Sequence, residues 1–150
     1  MKTLIRKTAW VAVGSALLAG GALAQADAPL PAVRTSGQVQ YLSGGIGADE
    51  SAAIRKATGQ WPLALEFAIK DKQRASFAAD VTVRIRDARG NEVLQAVSEG
   101  PFLLARLAPG SYAVDATLAG QTLHRRVDVK AGKSSRAVFL WATSADKTGS

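Results

Sequence analysis

The chain has no cysteine, one histidine and one methionine, and aromatic residues make up only 6% of it. Without cysteine there is no disulfide, no thiolate metal site, no thiol nucleophile and no N-terminal cysteine for lipid attachment. Stability has to come from apolar packing and hydrogen bonds alone. The lone histidine, His124, excludes the two- and three-histidine zinc constellations. No signature of a nucleophile and an orienting acid accompanies it, so a catalytic triad is not expected. Long apolar runs are also scarce. Ala9 to Leu23 is uncharged and apolar. A membrane-spanning helix needs a longer run, of roughly 20 residues.

That run nevertheless has a meaning. Lys2, Arg6 and Lys7 precede it and Ala24-Gln25-Ala26 follows it, the pattern of a cleavable secretion signal with small residues at the cleavage site. Residues 1–26 are read as a signal peptide. The expectation is a periplasmic or secreted protein starting at Asp27, with no permanent membrane anchor. What remains is long enough for one domain. Removing the signal lowers the formal charge from +7 to about +4, because three of the nineteen basic residues leave with it. Arg84, Arg86 and Arg89, and Arg125, Arg126 and Lys130, are the densest cationic stretches. Acidic residues lie near each, so both read as solvated strand faces, with anion binding as the alternative. Nucleic acid is not an expected partner outside the cytoplasm, whereas anionic envelope polymers stay open.

Residues 27–36 carry Pro29 and Pro31 without periodicity and read as a flexible lead-in. Gln38 to Leu42 alternates as a first strand, and Ser43-Gly44-Gly45-Ile46-Gly47 follows as a turn. Ala48 to Ala57 has helix-forming residues, with Asp49 and Glu50 at its start and Arg55 and Lys56 near its end, which suits the helix dipole. Gly59 is expected to stop it. Beyond this point the period is two: Leu63, Leu65, Phe67 and Ile69, then Val81, Val83 and Ile85, then Tyr112, Val114, Ala116 and Leu118. Asp87-Ala88-Arg89-Gly90-Asn91, Gly100-Pro101, Pro109-Gly110, Gly120 and Ala131-Gly132-Lys133 punctuate these strands. The final strand, Arg136 to Trp141, is apolar on both sides and reads as an inner or doubly covered strand. Residues 143–150 are polar and are expected to be disordered. Short strands without intervening helices predict an all-β fold, an antiparallel Ig-like sandwich of about seven strands over residues 37–142, with one short N-terminal helix.

The glycine-rich loop is the least ordinary feature. Gly44, Gly45 and Gly47 precede a helix start, where backbone N–H groups can hold an anion. The Lys-Ser/Thr ending of a phosphate loop is missing, and Asp49 and Glu50 would repel phosphate. The loop is therefore either a tight turn with Asp49 as helix cap or a site for a cationic or hydroxyl-rich group. Two adjacent carboxylates fall short of the about six to eight oxygens that calcium takes. No cofactor or metal is expected. Tyr41, beside the loop, and Trp61, beside Pro62, are the candidate surface aromatics, while Trp141 reads as core. Tyr41, Gly44, Gly45, Gly47, Asp49, Glu50 and Trp61 are thus the candidate partner- or ligand-binding residues.

The segment L-A-P-G-S-Y-A-V-D-A-T-L-A-G-Q-T-L-H-R-R-V-D-V, Leu107 to Val129, followed by K-A-G and an aromatic strand, resembles the carboxypeptidase regulatory-like domains. Pro109, Gly110, Tyr112, Val114, Gly120, Val127, Val129 and Gly132 carry the resemblance, and Val81, Val83, Asp87 and Gly90 extend it to about residues 80–141. It implies a transthyretin-like sandwich in an accessory, non-catalytic role. The N-terminal part, Y-L-S-G-G-I-G-A-D-E and W-P-L-A-L-E-F-A, is similar to a group of exported proteobacterial proteins with that fold. Hydroxyisourate hydrolases share the fold, but their N-terminal histidine and C-terminal Tyr-Arg-Gly-Ser have no counterpart here.

These readings converge on a non-catalytic periplasmic binding module that recognises an envelope protein, since sheet edges accept a further strand. A polysaccharide ligand is the alternative, using Trp61 and Tyr41. A small hydrolase is a further one, and it would need two of Glu66, Asp115 and Asp128 to converge in a pocket.

Overall fold

A computed structural model describes residues 29–143. The signal segment and nearly all of the polar tail lie outside them. Within them are β1 (Arg34–Ser36), β2 (Val39–Gly44), α1 (Ala48–Ala57), a 3-10 turn (Thr58–Gln60), β3 (Leu63–Asp71), β4 (Arg74–Phe77), β5 (Val81–Asp87), β6 (Glu92–Ser98), β7 (Phe102–Ala105), β8 (Gly110–Leu118), β9 (Gln121–Val129) and β10 (Ser135–Ala142). They form an all-β sandwich. One sheet has the order β1-β2-β7-β3-β10, with β4 also pairing β3, and the other has the order β6-β5-β8-β9.

The alternation read from the sequence places the core. Leu63, Leu65, Phe67, Val81, Val83, Ile85, Val114, Ala116 and Phe139 point between the sheets and are all inaccessible to solvent. A smaller second cluster lies on the outer face of the six-stranded sheet. There Ile54, Ala57 and Trp61 pack on Leu42, Ala64, Phe102 and Leu104. Helix α1 thus covers one half of that face. This double cover explains why β7 is buried along its whole length.

Several expectations are corrected. The lead-in is not wholly flexible, because Arg34–Ser36 pairs with Val39–Tyr41 around Gly37, whose φ is 59°. A strand absent from the sequence reading follows β3. Arg74–Phe77 folds back on Ala68–Asp71 as β4, turning through Lys72 at φ 52°. The sheet is not purely antiparallel, because β10 runs parallel to β3 from Ser135↔Leu63 to Ala142↔Lys70. Nor is β10 an inner strand. It is the sheet's edge, and its outward Val138 and Leu140 face solvent.

Hydrogen bonds tie the edges of the two sheets together. Ser36 Oγ donates to the Gln95 carbonyl at 3.2 Å and joins β1 to β6. Ser135 Oγ donates to the Asp128 carbonyl at 2.5 Å, and Trp141 Nε1 to the Gln121 carbonyl at 3.0 Å, joining β10 to β9. Such contacts cover edges that would otherwise invite pairing with other chains.

The β5–β6 connection carries a pH-dependent element. Asp87 Oδ1 accepts the Asn91 N–H at 2.9 Å and the Arg89 N–H at 3.0 Å. The Asn91 backbone bond, helped by Arg89, holds the Asp87 carboxyl below its ordinary value of 3.8. Only the ionised, folded form gains these bonds. Their contribution is therefore present above the unfolded value and is lost as pH falls through the lowered folded one. Urea midpoints measured between about pH 5 and 2 should decline more steeply for wild type than for Asp87→Asn. Parallel declines would assign the acid sensitivity elsewhere.

Candidate functional site

The glycine loop is folded onto its own helix. Gly47 occupies the N-cap position with φ 89°, ψ 156°, and α1 has no side-chain cap. Asp49 is exposed and is not the cap expected of it. Instead Glu50 Oε1 reaches back to accept the Gly45 N–H at 2.7 Å, and Ser51 Oγ donates to the Gly45 carbonyl at 2.7 Å. Both backbone groups of Gly45 are thereby satisfied from the first helical turn, and Gly44 is buried in β2. Glu50 holds a part-buried N–H that would otherwise lack an acceptor. Glu50→Ala should therefore cost about 1–2 kcal/mol in chemical denaturation. A loss below a few tenths would show that water replaces the carboxylate.

The two candidate aromatics are not surface platforms. Tyr41 is half-buried against the main core. Trp61 is 4% exposed, and the Arg106 guanidinium lies 4.3 Å from its ring centroid. Trp61 borders a cleft of 470 Å³ formed with Pro62, Leu107, Pro109 and Lys130–Lys133. One face of its ring is nevertheless already occupied by Arg106. Of the seven candidate residues, the structure gathers Gly44, Gly45, Gly47 and Glu50 into one structural clasp. Trp61 is held apart in the second core cluster.

The outer face of the four-stranded sheet is a mosaic of paired charges. Asp115 accepts from Arg86 Nη2 at 2.7 Å and meets His124 Nδ1 at 2.5 Å, and Arg84 pairs with Glu92 at 3.0 Å. Asp128 accepts from Ser111 at 2.6 Å. This is the solvated strand face the sequence suggested. Glu66 lies on the outer face of the other sheet, so it does not converge with Asp115 or Asp128. No family model and no curated protein matches the chain.

A different surface gathers the features that sequence reasoning missed. Cross-strand register puts Phe77, Ala68 and Leu140 in one row of the six-stranded sheet's outer face, and Phe102, Glu66 and Val138 in the next. Helix α1 shields Phe102 but stops short of the rest. Phe77, Val138 and Leu140 remain 53%, 42% and 46% exposed. Arg55, near the end of α1, sets its guanidinium 5.5 Å from the ring centroids of both Phe77 and Phe102, which are 6.1 Å apart. Arg136 bonds to Glu66 across the β3–β10 pair. Between helix and sheet, Arg55, Thr58, Ala64, Glu66, Phe102 and Arg136 line a cleft of 130 Å³. A hint was present in the apolar two-sidedness of β10. What it lacked was β4, whose Phe77 completes the patch.

Among the described residues, no group of three or more His, Asp or Glu is placed to hold a metal ion, and no helix is long and apolar enough to cross a membrane.

Proposed function

We propose that this chain is an exported, non-catalytic interaction module that binds an envelope protein through the uncovered half of the six-stranded sheet's outer face. The observation that carries this reading is the patch of exposed apolar side chains, Phe77 and Leu140 in one row and Val138 in the next, beside a helix that buries the other half of the same face. Covering such a surface gains roughly 25 cal/mol per Å² of apolar area removed from water. Contiguous exposed apolar side chains rimmed by charged ones are the usual mark of a protein contact. The resemblance of residues 80–141 to an accessory domain supports the same role, and the basic, apolar and small-residue pattern of residues 1–26 supports export.

A polysaccharide draws less support. Phe77 is the one large exposed aromatic among the described residues. Sugar sites present several flat rings.

The test places a photo-crosslinking amino acid at Leu140 or, as control, at Arg84 on the opposite sheet, in cells producing the protein. Protein adducts are expected from position 140 and not from 84, and they should disappear in Phe77→Ser. Adducts from position 84 alone, or from neither, would overturn the reading.

A further inference from the structure

Resting on that reading, we propose that Arg55 selects the partner by pairing with a carboxylate that an extended polypeptide presents beside apolar side chains.

Arg106 stacks on one ring, that of Trp61, whereas Arg55 is held by two. The Arg55 guanidinium lies 5.5 Å from each of its two ring centroids. Its planar fork is thus oriented before any partner arrives. Its ring contacts leave its N–H donors without a carboxylate. Among the described residues no acid pairs with it, whereas Arg34, Arg84, Arg86 and Arg136 each have one. The acid that shares its cleft, Glu66, is held by Arg136. Asp49 and Glu50 lie at the opposite end of α1, and Glu50 is engaged with Gly45.

The cleft therefore has two guanidinium groups and one carboxylate on its walls, a net excess of positive charge. Immediately beyond it lie the exposed side chains of Phe77, Val138 and Leu140, which carry no charge. A ligand complementary to both parts carries an anionic group flanked by apolar side chains. An extended polypeptide supplies this at a spacing of about 3.3 Å per residue, so one side chain enters the cleft while its alternate neighbours run over the apolar rows. The carboxylate would come from an Asp or Glu side chain or from a chain terminus. Either would make charge-assisted, bidentate bonds to a guanidinium that is already oriented, which spares part of the ordering cost of binding.

The probe is a peptide selected from a displayed library of linear sequences with free C termini, using the purified protein as bait and measuring binding by fluorescence polarisation. Selected peptides should share an acidic group next to apolar residues. Arg55→Gln, and amidation of the peptide's acid, should each weaken binding by at least about tenfold, and combining them should weaken it little further. Amidating the terminus and replacing Asp or Glu in separate peptides distinguishes the two sources. Arg55→Lys should recover only part of the loss because it keeps the charge but not the planar fork, and Arg89→Gln on the far hairpin should have no effect. Binding that is lost with Phe77→Ser or Leu140→Ser but indifferent to Arg55→Gln would overturn the role of Arg55 and leave the interaction surface standing. Binding indifferent to all three, or a library that yields no binder, would overturn both.

Discussion

Replacing Gly100 with alanine is expected to destabilise the protein by about 3 kcal/mol or more, one of the largest effects of any single methyl group added to this chain. Gly100 is buried in the crossing from β6 to β7, where the chain passes from one sheet to the other. A Cβ there would overlap the carbonyl carbon and oxygen of Gly44 and stand 3.0 Å from its Cα. All three contacts are backbone, so no side chain can swing aside. The crossing is also pinned on every side. Ser98 Oγ donates to the Gly100 carbonyl at 2.8 Å, the Glu99 N–H to Ser43 Oγ at 3.2 Å, and the Phe67 N–H to the Pro101 carbonyl at 2.8 Å. Relief would require β2 to move, and with it the clasp that orients α1 and Arg55.

Two controls isolate the cause. A methyl group at Gly59 meets no atom within 4 Å and needs no left-handed backbone. Gly59→Ala should be neutral or stabilising by up to about 1 kcal/mol. Gly47→Ala also meets nothing, but its φ of 89° with ψ of 156° falls in a region almost reserved for glycine. There a strain of about 1–3 kcal/mol is expected. Denaturant titrations followed by tryptophan fluorescence give all three values. A Gly100→Ala protein as stable as Gly59→Ala would show that β2 and the crossing do not approach so closely.

Phe67→Ala is expected to cost about 4 kcal/mol, a large fraction of the roughly 5–15 kcal/mol by which a domain is stable. Phe67 is fully buried at the centre of β3, with its ring centroid 5.7 Å from Phe139 and 6.2 Å from Trp141. Phe139 and Trp141 belong to β10, and Phe139 is the register partner of Phe67. Truncation would leave a cavity and remove two aromatic contacts from the parallel β3–β10 pair, a pairing slightly weaker per residue than antiparallel ones. Phe67→Leu keeps much of the volume and should cost less. The loss should also reach function, because β10 holds Val138 and Leu140 on its other side. Enhanced hydrogen exchange of β10 amides in Phe67→Ala, beyond that of β5 and β8, is the expected signature. Uniform exchange across both sheets would mean that the sandwich opens as one unit.

The apolar alternation of β5 and β8 was legible because each buries one face, and a period of two then leaves little freedom in register; β3 shows the same alternation although Ala64 and Ala68 on its other face are buried too. The short helix was legible from its charge order. The parts that differ have a common physical origin. β1 and β4 are too short to show a period, and they exist because a longer neighbour offers hydrogen bonds. The parallel β3–β10 pair joins segments far apart in the chain, and nothing local in either strand declares its direction. Trp61 reads as a surface ring because Pro62 stands beside it in sequence, whereas the second core cluster and Arg106 enclose it in space.

Composition and pattern by themselves determined that this is a cysteine-free, strand-rich chain with a short helix and an outward face of mixed charge. Those properties depend on residue type and on neighbours a few positions away. Tertiary structure alone decided which apolar residues stay uncovered. Val138 and Leu140 look like core in sequence and face solvent only because α1 ends before reaching β10, and Phe77 joins them only because β4 folds back along β3. Arg55 becomes a candidate recognition group by the same route, since its two supporting rings arrive from strands distant in sequence and no nearby carboxylate claims it. A surface of this kind is set by where the covering elements stop, and that is a property of packing rather than of any one segment.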